Sequence, residues 1–135
     1  MRIVSLGGVV IAAAIVGVSS GCDNPVSTDQ SVELGATKIE APTTVAPGTA
    51  ITVVLTVTTG GCVSFDHIDV NRDANGAFMI VWGHDAAKGR KDIGCPADIR
   101  EDPHSYQFSP PFANSFTIQV GRGRLSPLQA IVQVQ

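Results

Sequence analysis

The clearest pattern in the chain is a strict alternation over residues 50–58. Ile51, Val53, Leu55 and Val57 fall on one face, and Thr52, Thr56 and Thr58 on the other. A period of two in a run rich in β-branched side chains predicts a half-buried strand. Val54 on the outward side implies that this face is partly covered. Upstream, 32–39 reads as a first strand ended by Ala41-Pro42. Val45-Ala46-Pro47-Gly48 reads as a turn, with Pro fixing φ and Gly taking positive φ. Gly60-Gly61 turns the chain into 62–70, where Val63, Phe65 and Ile68 break the alternation. A bulge near Asp66-His67 restores a single apolar face there.

Residues 71–76 (NRDANG) predict a connection, with Asn75-Gly76 as a positive-φ turn pair. The next strand, 77–83, sets Phe78, Ile80 and Trp82 against Met79 and Val81. Both of its faces are apolar, which predicts a central position. A polar loop follows at 85–91. Residues 92–113 contain Pro96, Pro103, Pro110 and Pro111, with brief strand candidates only around Ile99 and Tyr106-Gln107-Phe108. With Tyr106, Phe108 and Phe112, the segment 103–113 is either an exposed recognition loop or a cover over an open edge of the core. Alternation resumes at 115–120, Gly121-Arg122-Gly123-Arg124 turns, and Leu128, Ala130, Val132 and Val134 close the domain on one face.

Outside the N-terminal stretch, no window holds apolar residues at helical spacing for three turns. The expectation for 32–135 is therefore all-β: an antiparallel β-sandwich of seven or eight strands. In its Pro-Gly turn before a Thr/Val strand and its closing strand pair, 33–135 resembles immunoglobulin-like and fibronectin-type modules. Trp82 lies between Cys62 and Cys95, but that spacing does not match an inter-sheet disulfide, and Ile93 stands where a tyrosine corner would need Tyr.

The first 22 residues are of another kind. Arg2 precedes an uncharged, mostly apolar run over 3–18, and Ser19-Ser20-Gly21-Cys22 closes it. A basic start, an apolar centre and small residues at the cut site are the parts of a signal peptide. Ending in Cys, the stretch resembles a bacterial lipoprotein precursor, with Ser19 where that family usually carries an aliphatic residue. The resemblance implies a signal helix over 1–21 and a lipidated tether over 22–31. Acyl chains such as palmitate on Cys22 would hold the protein on the membrane of the cell envelope, facing the periplasm or the exterior. One chain anchors marginally and two or more firmly. An uncleaved membrane helix over 3–21 and plain secretion are the competing readings.

Cleavage before Cys22 leaves 114 of the 135 residues, enough for one domain and one core. It also removes Arg2, so the net charge falls one unit below the −3 of the full chain. A mildly acidic balance argues against nucleic acid as a partner. Three cysteines are an odd count. Giving Cys22 to lipid leaves Cys62 and Cys95 as a pair, expected to bridge the third strand to a loop.

Candidate chemistry is sparse. Asp69, Asn71, Asp73 and Asn75 place oxygens at alternate positions before Gly76, as in the first half of a calcium loop. Read from Asn71, however, the twelfth position is Trp82 instead of Glu, and the same residues suit a hairpin turn. His67, His84 and His104 lie in separate segments without metal-ligand spacing. Asp66-His67 and His84-Asp85 are adjacent pairs, whose members point to opposite faces on a regular strand. No serine lies in a G-x-S-x-G elbow, and Glu101-Asp102 belongs to a Pro-flanked stretch. Lys88, Arg90 and Lys91, with Arg122 and Arg124, are solubilising charge or a patch for a protein or cell-wall polymer.

These observations lead to a non-catalytic, lipid-anchored envelope protein without a cofactor, whose β-domain binds or scaffolds. The alternatives are a metal-binding envelope protein or enzyme using His67, His84 and nearby Asp residues, and an adhesion or accessory subunit of an envelope assembly.

Overall fold

A computed structural model describes residues 30–135. The expected signal helix, Cys22 and nearly all of the expected tether lie outside the described residues. Nine strands follow in order: β1 (Gln30–Leu34), β2 (Ala36–Glu40), β3 (Thr44–Val45), β4 (Ile51–Gly60), β5 (Val63–Arg72), β6 (Gly76–Asp85), β7 (Ile99–Phe108), β8 (Ser115–Arg122) and β9 (Leu125–Val134). Strands make up 66 % of the described residues and none of them is helical, so the domain is all-β.

The sheet is mixed, not purely antiparallel. Its path runs β2-β4-β5-β6-β8-β9-β3, with β1 added to β6 and β7 to β4. Two pairings are parallel, β6 with β8 and β3 with β9. The β4–β5 link is narrow, resting on the pair Gly60↔Val63. There the sheet curls, so that β2 packs back against β8 and β9.

The alternating face of β4 is the centre of the core: Ile51, Val53, Leu55 and Val57 are fully buried, as are Phe108, Phe116, Ile118, Val120 and Val132. Removing such side chains from water stabilises by about 1.5–3 kcal/mol each. On β6, Ala77, Met79 and Val81 face this core while Phe78, Ile80 and Trp82 face outward. β6 is a central strand as expected, flanked by β5 on one side and by β1 and β8 on the other.

Three local expectations change. The single first strand divides at Gly35: β1 joins β6 and β2 joins β4, because a buried Leu34 and a buried Ala36 serve different neighbours. The Asn75-Gly76 pair is not a positive-φ turn. Asp73 Oδ1 instead accepts the backbone N–H groups of Asn75 (2.7 Å) and Gly76 (3.0 Å), closing the turn with a side chain. Gly76 is needed for closeness, since a Cβ there would stand 2.5 Å from the Thr117 carbonyl oxygen of the parallel neighbour.

The largest difference is β7, where a full strand pairs with β4 over ten positions. Its inward residues, Asp102, His104, Tyr106 and Phe108, alternate with outward Glu101, Pro103, Ser105 and Gln107. Half of the inward set is polar, so hydrophobic periodicity cannot reveal it. Pro103 is tolerated because β7 pairs on one side only. The segment after β7 covers the core. Phe112 packs edge-on against Phe116 (4.9 Å), and the Arg72 guanidinium donates to the carbonyls of Ser109 (2.5 Å) and Pro111 (2.9 Å) while lying over the Phe112 ring.

Cys62 and Cys95 form a disulfide across a separation of 33 residues, with Cα atoms 5.2 Å apart. It ties the start of β5 to the loop between β6 and β7, as the sequence predicts.

Candidate functional site: the outer face of β5 and β6

The bulge expected in β5 is present: Phe65 pairs with Gly83 and His67 with Trp82, leaving Asp66 as the extra residue. It turns Phe65, Ile68 and Val70 toward the core. It also brings the Asp66 and His67 side chains together, contrary to the expectation for neighbours on a regular strand. His67 Nδ1 lies 2.7 Å from Asp66 Oδ2. The same carboxylate oxygen is 3.4 Å from His84 Nε2, so Asp66 stands between two imidazoles. His67 Nε2 approaches Asp69 Oδ1 at 3.5 Å, and Trp82 Nε1–H donates to Asp69 Oδ2 at 2.9 Å.

His84, Asp66, His67, Asp69 and Trp82 thus form one polar chain across β5 and β6. Its members are accessible to water, with half of the His67 side chain exposed. The pair His84-Asp85 does not form, because Asp85 Oδ1 accepts the Ala87 N–H at 3.0 Å. His104 stands apart on β7, stacked on Phe65 with ring centroids 3.6 Å apart. Among the described residues, no three or more His, Cys, Asp and Glu side chains are arranged to hold a metal ion.

The Asp66 carboxyl is held below the usual carboxylate range, first by the His67 hydrogen bond and then by the charge of His84 and His67. A lowered folded-state pKa stabilises the fold above the unfolded-state pKa. That contribution is lost as pH falls through the lowered value. Asp66→Asn should therefore reduce stability at neutral pH, with the difference from the parent closing in acid. Denaturant melts from neutral pH down to below the carboxylate range would measure this, and a pH-independent difference would contradict it.

The candidate calcium residues take separate roles along one face. Asp69 belongs to the imidazole chain and Asp73 closes its own turn. Asn71, Asp73 and Asn75 line a shallow hollow of about 440 Å³ with Phe78, Gly76, Thr117 and Gln119. A second hollow of about 190 Å³ continues along β6 between Asp69, Asn71, Phe78 and Ile80. The two share Asn71 and Phe78 and form one trough on the outer face. Sequence reasoning marks Phe78 only as a strand residue and gives Thr117 and Gln119 no role, since their convergence depends on the parallel β6–β8 pairing. Its one advance signal is a strand, β6, that is apolar on both faces.

The two basic loops both lean on β1. Lys88 Nζ donates to the Ser31 carbonyl at 3.3 Å, and the Gly123 N–H donates to Glu33 Oε1 at 2.8 Å. Arg90 pairs with Asp92 at 3.3 Å. These loops therefore carry acidic partners beside their positive charge. Compared with family models, curated proteins and solved structures, the chain has no match.

Proposed function

We propose that this chain is a lipid-anchored protein of the bacterial cell envelope. Its β-domain is an immunoglobulin-like sandwich that binds a partner or scaffolds an assembly without catalysis. The observation that carries this reading is the Cys62–Cys95 disulfide. Stable disulfides belong to oxidising compartments, and this one leaves a single cysteine, Cys22, in the lipobox-like stretch. The sandwich reading is supported by two strand groups, β2-β4-β7 and the rest, joined through one residue pair and packed around one core. The binding reading is supported by the outward trough and by Phe78, which is 40 % exposed.

Mass spectrometry of protein isolated from membranes should find Cys22 as the first residue, carrying a diacylglycerol thioether. Cys22→Ala should move the protein out of the membrane fraction. An unmodified segment 1–20 on the isolated protein would overturn the proposal.

A further inference from the structure

The trough has a chemistry that selects its ligand. Across it, one register row runs Asn71–Phe78–Gln119 over β5, β6 and β8. An aromatic ring is thus flanked on both sides by carboxamides. The ring leans over Gly121, with its Cζ 3.5 Å from where a Cβ would stand, so it lies along the sheet instead of standing clear of it. The missing side chain at Gly76 opens the hollow beside it.

The charges at the rim are committed elsewhere. Asp73 Oδ1 holds two backbone N–H groups, and the Arg72 guanidinium is directed to the Ser109 and Pro111 carbonyls. An anionic ligand would meet the Asp69 and Asp73 carboxylates with the rim guanidinium turned away. An apolar one would leave the amides without hydrogen-bond partners. A pyranose answers both conditions. Its C–H face packs on an aromatic ring, whose face is electron-rich. Its hydroxyls donate and accept, matching carboxamides that do the same. Few, well-placed polar groups around an apolar floor are the usual make-up of a small-molecule site.

We propose that the outer-face trough is a saccharide-binding site, taking an uncharged pyranose chain that stacks on Phe78 and hydrogen-bonds Asn71 and Gln119. The chain extends along β6 through the second hollow toward Trp82, four residues and roughly 13 Å away along the strand. The Trp82 ring is held in place by its hydrogen bond to Asp69. This inference rests on the binding-module reading and names the ligand class for it.

Titration of the full-length protein in detergent with chitohexaose and with cellohexaose, followed by calorimetry, tests it. Saturable binding of at least one is expected, weakened at least tenfold by Phe78→Ala and at least threefold by Asn71→Ala or Gln119→Ala. Leu125→Ser, which removes an exposed apolar side chain on β9, should leave affinity unchanged. Equal melting temperatures would show that these surface variants fold. No saturable binding of either sugar, or binding indifferent to Phe78→Ala, overturns the proposal. A photo-crosslinker placed at Phe78 in intact cells separates the two readings. A protein adduct without sugar binding ends this inference and leaves the binding module standing, whereas neither adduct nor sugar binding ends both.

Discussion

Replacing Cys62 and Cys95 together with Ser lowers the stability of the domain by about 3–4 kcal/mol. The bond closes a loop of 33 residues' separation, which includes all of β5, all of β6 and most of the connection to β7. Without it the unfolded chain regains the entropy of that loop. The native loop would keep Ala86 N–H to Cys62 O (3.0 Å) and Gly61 N–H to Asp98 Oδ1 (3.1 Å). Those bonds hold the folded state but do nothing to restrict the unfolded one. For a domain of this size the loss corresponds to a fall in melting temperature of roughly 12–25 °C. Thermal unfolding of the double variant, with the parent protein in reductant as the comparison, measures it. A change below about 1 kcal/mol would mean that the unfolded chain is already constrained in this region.

Gly60→Ala should be comparably damaging, at about 3–5 kcal/mol. Gly60 has φ +118°, a conformation that side chains disfavour. A Cβ there would lie 2.1 Å from the Asp98 carbonyl oxygen and 3.1 Å from Ile99 Cα. Both contacts are backbone, so no rotamer change relieves them. The strand β7 would have to move at the pair Gly60↔Ile99, where its ladder with β4 ends. Gly48→Ala is the control. Its φ is +78° but no atom lies within 4 Å of the added Cβ, so its cost is conformational only, roughly 1–2 kcal/mol. Denaturant titrations of both variants separate the two causes. Equal losses would assign the whole effect at Gly60 to backbone conformation and none to the contact with β7.

The imidazole chain and the trough were legible to different degrees. Asp66 and His67 are drawn together by the bulge that the apolar pattern of β5 demands. Period-two logic, once interrupted at 66–67, therefore implies that the two side chains share a face. The involvement of His84 and Asp69 depends on which strand lies beside β5 and in what register. The trough was less legible still, because Gln119 and Phe78 lie 41 positions apart in the chain and meet only through a parallel pairing.

By itself the sequence determined the all-β character, the β4 core face, the central place of β6, the bulge in β5, the Pro47-Gly48 turn and the partnership of Cys62 with Cys95. Each is written in a local pattern or, for the cysteines, in a count. Tertiary structure alone decided the split of the first strand at Gly35, the parallel pairings, and the ten-residue β7 hidden behind Pro103 and a half-polar inner face. It also placed an aromatic ring between two carboxamides on the outer surface. The reason is physical. Alternation fixes which side of a strand is buried, but neighbour and register are chosen by the packing of the whole sheet, and a surface site is built from neighbours.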